Sequence, residues 1–173
     1  MLGVKNLEII PAHGEERIEP GLSPAEVVSA LSRDKARQVA ATCDFPCVVI
    51  GADTVVALDG EILGKPKDES DAVRMLRALS GREHRVFTGL TIIAGEKELQ
   101  ETEVSTVRFR EMSEHEITVY VKTGESMDKA GAYGAQGLGA LFVKGIDGDF
   151  FNVMGLPICR LALMLKKLGI ELL

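Results

Sequence analysis

The sequence predicts a single α/β domain built on a mixed sheet, and three observations carry that prediction. Apolar runs of strand length alternate along the chain with segments of helical period. No repeat, low-complexity tract or linker interrupts them, so one continuous core is expected. Two long β-rich runs, around Val86 and Val104, are separated only by the turn Gly95-Glu96-Lys97, which makes them antiparallel neighbours within the sheet.

The elements follow in order. Leu7–Ile10 is a short strand candidate ended by Pro11, and Pro20-Gly21 marks a turn after the acidic segment Gly14–Arg17. Ser23-Pro24-Ala25-Glu26 is a helix start, with Ser at the cap, Pro in the first turn and Glu closing a capping box. Val27, Val28, Leu31, Ala36, Val39 and Ala40 give this helix an apolar face to about Ala41. Cys47–Ile50 has the bulk of a strand buried on both faces, and a second β-rich run, Val55–Leu58, turns at the hairpin signal Asp59-Gly60, with Glu61–Leu63 returning. Asp68–Leu79 is a second helix, His84–Ile93 and Leu99–Arg110 are the two long strands, and Ser113 opens a third helix with another capping box to Glu116. Met127–Gly139 is glycine-rich and irregular, Ala140–Val143 reads as a short apolar strand, and a last helix follows Pro157.

With 173 residues, 46% hydrophobic and 27% charged, the chain can bury a proper core as one domain. A net charge of −6 provides no global field for nucleic acid or anionic lipid, so any phosphate binding is local. Six Phe, two Tyr and no Trp leave little for a base-stacking platform. No run approaches a bilayer span and the first residues carry no signal-peptide pattern, so a cytoplasmic protein without nucleic-acid or membrane partners is expected. Cys43, Cys47 and Cys159 lack a metal-site spacing and read as reduced structural residues.

Chemistry concentrates in two places. Asp53 stands where the central apolar strand gives out, and the hairpin carries Lys65, between Gly64 and Pro66, back toward the same rim. A solvated turn aspartate is the plainer alternative for Asp53 taken alone. The loop Asp128–Gly139 combines glycines, whose backbone N–H groups can approach an anion, with Lys129 and the amide Gln136; tight turns alone would also use such glycines. It is neither a dinucleotide fingerprint nor a Walker loop. His84 and Thr88 are weaker candidates, since a single His near a strand start is usually a satisfied structural residue. Carboxylates at Glu16 and Asp53, lysines at Lys35, Lys65 and Lys129, and no embedded nucleophile suit metal-assisted phosphoanhydride hydrolysis.

Six ordered motifs carry a resemblance: L-S-R-D-K-A at Leu31–Ala36, G-A-D-T at Gly51–Thr54, G-K-P at Gly64–Pro66, L-S-G-R-E-H-R-V-F-T-G at Leu79–Gly89, D-K-A-G-A-Y-G-A-Q-G at Asp128–Gly137 and N-V-M-G-L-P at Asn152–Pro157. Together they resemble the Maf family of nucleoside triphosphate pyrophosphatases over almost the whole chain. The resemblance implies an elongated mixed sheet flanked by helices, related to the inosine triphosphatase fold, and a homodimer. It implies cleavage of a nucleoside triphosphate to monophosphate and pyrophosphate with Mg²⁺ or Mn²⁺. Carried over, Asp53 matches the proton acceptor, Glu16 helps Asp53 hold the metal, Lys35 and Lys65 face phosphates, and Thr54 and Gln136 take part in choosing the base. The loop from Asp128 is similar to the subgroup preferring dTTP and UTP.

Two departures are visible. The family's acid pair begins with Asp, where this chain has Glu15-Glu16. The family's opening strand and S-x-S-P-R-R loop have no counterpart here, so the sheet is expected to lack its first strand and turnover to be weak or absent; either Met1 is an internal methionine behind a start assigned too late or the chain is a truncated member, the first being the favoured reading. Two further readings stay open: a non-catalytic member acting by binding in septation control, and inosine or xanthosine triphosphate specificity.

Overall fold

The computed structural model describes residues 7–11, 21–43 and 46–172. Its centre is a five-stranded sheet ordered β2-β1-β3-β4-β5, formed by β1 (Val48–Leu58), β2 (Glu61–Leu63), β3 (Glu83–Ala94), β4 (Lys97–Phe109) and β5 (Val143–Asp147). Every described pairing is antiparallel, where the sequence reading expected a mixed sheet. The reason is local: β1 to β2 and β3 to β4 are hairpins, and the helix between β2 and β3 returns the chain to the other side of β1 in the opposite direction.

Among the described residues, five α-helices flank this sheet: α1 (Pro24–Ala40), α2 (Glu69–Leu79), α3 (Glu114–Lys122), the single turn α4 (Phe150–Val153) and α5 (Ile158–Lys167). The two expected capping boxes are formed, with Ser23 and Glu26 reciprocating at α1 and Ser113 and Glu116 at α3. Asp68 and Asp149 cap α2 and α4 through their side chains.

The period-2 alternation of β1 and β3 sorts residues to two faces. One face carries Gly51, Asp53 and Val55 opposite Thr91, Gly89 and Phe87, and α1 lies on it, burying Val27, Val28 and Leu31. On the opposite face Val56, Leu58, Val86 and Val107 meet α2 and α3 through Leu76, Leu79 and Ile117. Further along the same face Leu90 and Ile92 meet Leu161, Met164 and Leu165 of α5.

Several local expectations are corrected. Leu7–Ile10 forms no strand; Leu7 and Ile9 are exposed and pair with no described ladder. The start of β1 is buried on one face only, with Val49 inside and Val48 and Ile50 exposed, and Cys47 lies just before the strand, half-buried. Cys159 is exposed on α5, and Cys43 and Cys47 are half-buried. Leu138–Phe142 is a 3₁₀ turn, because Ala140 N–H closes back on Gly137 O; β5 starts only at Val143. Among the described residues, no helix is long and apolar enough to cross a membrane.

Candidate active site

Asp53 sits in the middle of β1, its side chain about nine-tenths buried and directed to the face covered by α1. Lys35, from the fourth turn of α1, places Nζ 2.5 Å from Asp53 Oδ1. Two glycines make this contact possible. A Cβ at Gly51 would stand 2.3 Å from Ser32 O, and one at Gly89 would stand 2.2 Å from Val28 O. The helix therefore rests backbone to backbone on β1 and β3, closer than any side chain permits. Ser32 Oγ and Thr91 Oγ1, 3.0 Å apart, fix its rotation from within the buried layer. The glycines of G-A-D-T and F-T-G are thus what bring the lysine of L-S-R-D-K-A onto the aspartate.

Thr54 and Thr88 occupy the opposite face. Their hydroxyls lie 2.8 Å apart, and Thr88 Oγ1 donates to Asn152 O at 3.0 Å. Fully buried Asn152 in turn donates from Nδ2 to Val86 O and Ser105 Oγ. This chain of bonds ties α4 and the following N-V-M-G-L-P turn to the sheet, and Gly155, at φ +99°, brings its backbone against Thr54 Oγ1. Thr54 is therefore not on the same side of the sheet as its sequence neighbour Asp53. Among the described residues, β2 pairs with β1 at Val56–Leu58.

Lys65 is exposed just beyond β2 and makes no described bond to Asp53, so the ammonium on Asp53 comes from α1 rather than from the hairpin. Instead the hairpin end meets the glycine-rich loop: Gly131 N–H donates to Gly64 O, and a Cβ at Gly131 would strike Val56. Lys129 Nζ pairs with Asp128 Oδ1 at 2.6 Å and holds that carboxyl below its ordinary value, with a weaker pull from Lys65. Lys65, Lys129 and Asp128 thus form one exposed charged group at the rim.

The loop does not offer all its amides outward. Leu138 and Gly139 N–H donate to the Glu125 carboxylate, and Gly134 N–H donates to Tyr120 Oη. Gln136 stands exposed at the tip between these anchors. His84 is buried beneath the loop, its Nε2 2.8 Å from Tyr133 Oη and its ring edge-on to Phe109 and Tyr133. Burial pushes its pKa down to about 4, and among the described residues its Nδ1 has no hydrogen-bond partner. Its side chain is buried and does not meet solvent.

Glu16, expected to share a metal with Asp53, lies outside the described residues. Among the described residues, no group of three or more His, Cys, Asp and Glu is close enough together to hold a metal ion. What is present fits a hard cation only in part: Asp53 supplies one oxygen donor, which suffices for Mg²⁺ when phosphate oxygens and water complete the shell.

A model of the Maf-like protein family matches residues 1–168. The chain belongs to the Maf family. Maf relatives include a dTTP/UTP pyrophosphatase of Clostridioides difficile, 51% identical over 162 residues that cover 92% of this chain and 83% of the relative. A dTTP/UTP pyrophosphatase of Koribacter versatilis is 49% identical over 162 residues, covering 92% and 82%. One from Aquifex aeolicus is 48% identical over 170 residues, covering 98% and 88%. Within this Maf chain the sequence had marked Asp53, Lys35, Lys65, Thr54 and Gln136 without showing how they divide between two faces. It gave no notice of Glu125 or Tyr120, and Asn152 entered only as the first residue of the N-V-M-G-L-P motif.

Proposed function

We infer that this protein hydrolyses nucleoside triphosphates, dTTP and UTP by preference, to the monophosphate and pyrophosphate. The observation that carries this reading is the Lys35–Asp53 pair: a carboxylate fixed inside a strand by backbone-close packing, with an ammonium on one of its oxygens. The names of the Maf relatives support the substrate.

In this reading the triphosphate lies at the Lys35–Asp53 pair. Asp53 accepts a proton from water as the water oxygen attacks the α-phosphorus. The bond from that phosphorus to the bridging oxygen breaks, and pyrophosphate leaves with the electron pair. Lys35 and Lys65 approach from opposite sides and balance the charge spread over the phosphate oxygens. Thr54 and Gln136, with Lys129 at the rim, face the nucleoside end; His84 and Thr88 support them from beneath. A bound Mg²⁺ or Mn²⁺, held by Asp53 with Glu16 as the proposed second carboxylate, would supply charge neutralisation at the phosphates.

The test is pyrophosphate release from dTTP, UTP, CTP and ITP with Mg²⁺ or Mn²⁺. Turnover of dTTP and UTP above the others, reduced by about 10²–10⁴-fold in Asp53→Asn, is the expected result. A folded protein that releases pyrophosphate from none of the four, or whose Asp53→Asn variant keeps full activity, refutes the reading.

A further inference from the structure

We propose that Glu125 and Tyr120 are positioning residues that set the nucleobase selectivity of this protein by clamping both ends of the loop that presents Gln136. The proposal rests on the base-facing role given above to Gln136.

The clamp is built from α3 and the turn after it. Glu125 Oε2 accepts from Leu138 N–H at 2.9 Å, and Oε1 accepts from Gly139 N–H at 3.0 Å. Tyr120 Oη donates to Glu125 Oε1 at 3.0 Å and accepts from Gly134 N–H at 3.1 Å. One carboxylate and one phenol thus hold residues 134, 138 and 139, leaving Ala135, Gln136 and Gly137 as the arch between fixed feet. Both groups are committed to this job. Partial burial opposes charge on Glu125, but the Gly139 and Leu138 amides more than offset it and keep the carboxyl below its ordinary value. Desolvation raises the Tyr120 pKa, so its hydroxyl stays protonated and able to donate.

The glycines of the arch are shaped to the clamp. A Cβ on Gly137 would lie 2.3 Å from Glu125 Oε2, and one on Gly139 would lie 2.9 Å from Tyr120 Oη. An amide that reads a base edge must hold its donor and acceptor in register, and an arch free at either end would let the amide rotate. A carboxylate inside the glycine-rich loop also fills a place where an external anion could otherwise bind. The loop therefore acts on the base end of the substrate, leaving the phosphates to the lysines.

The test compares kcat and KM for UTP and CTP in Glu125→Gln, Tyr120→Phe, Gln136→Ala and the double variant Glu125→Gln/Gln136→Ala. Glu125→Gln keeps the size of the side chain but replaces one acceptor oxygen by a donor facing N–H groups. The expected result is a loss of about tenfold in UTP-over-CTP preference for Glu125→Gln, carried mainly by KM, with a similar loss in Gln136→Ala. The double variant should lose no more than the worse single one, because both changes remove the same reading. Tyr120→Phe should follow the same pattern, and it bears the test if Glu125→Gln is not folded. If Gln136→Ala loses preference while both clamp variants keep it, the clamp proposal is overturned and the base-reading role stands. If Gln136→Ala keeps full preference, that role fails and the clamp proposal falls with it. Losses that add in the double variant show general loosening and also overturn the proposal.

Discussion

Replacing Gly51 by alanine tests the claim that backbone-close packing of α1 makes the site. The new Cβ would meet Ser32 O at 2.3 Å, Ala36 N at 2.8 Å and Ala36 Cβ at 2.9 Å. None of these is the end of a flexible side chain. Relief to ordinary contact requires α1 to rise by about an ångström over β1, across a layer containing fully buried Val28 and Ala36. Overpacking of this kind costs about 1–3 kcal/mol. With a urea slope of about 1–3 kcal/mol/M, the unfolding midpoint should fall by about 1 M. The same lift carries Lys35 away from Asp53, and a displacement of about 1 Å at a reacting group can cost about 10²-fold in rate. Urea unfolding and pyrophosphate release from dTTP measure the two effects on one preparation. Gly64→Ala is the steric control, because its Cβ would meet nothing within 4 Å. A Gly51→Ala protein with the midpoint and turnover of the parent would refute the packing argument and with it the origin given to the Lys35–Asp53 contact.

Three other outcomes are expected. Lys35→Met should reduce turnover of dTTP by at least about tenfold while leaving the protein folded by circular dichroism, since in the proposed reaction it removes an ammonium that stabilises developing charge. His84 is neutral when folded, with its pKa pushed down by burial to about 4 from an ordinary 6.5, so folding excludes a proton that the unfolded chain binds below pH 6.5. Its contribution is fully present above pH 6.5 and is lost as the pH falls toward 4. Stability should drop by about 2 kcal/mol from this residue between pH 7 and 5, and His84→Gln should flatten that part of a urea-midpoint profile. Thr88→Val removes the hydroxyl joining Thr54 to Asn152 O and should lower stability by about 1–2 kcal/mol, read as a lower melting temperature; no change would mean that the network does not hold α4.

The sequence by itself determined the elements whose signals are local. Ser23 with Glu26 and Ser113 with Glu116 specify helix starts through bonds that close within four residues, and Asp59-Gly60 specifies a hairpin whose geometry lies in its own backbone. It also singled out Asp53, Lys35 and Gln136 as candidates, because they lie in motifs long enough to be recognised. The tertiary structure decided what pairs with what. Asp53 receives its ammonium from Lys35, eighteen residues earlier, rather than from Lys65 on its own hairpin, because two glycines on adjacent strands admit a helix at backbone distance. Asp53 and Thr54, adjacent in the chain, are sent to opposite faces by the pleat, which a motif read as a string does not display. The loop from Asp128 read as a place for an external anion, yet part of its hydrogen bonding is satisfied by Glu125, a residue with no distinctive spacing. Sequence encodes a bond when both partners are close along the chain; when they meet across a fold, only the packing of the intervening helices and strands brings them together.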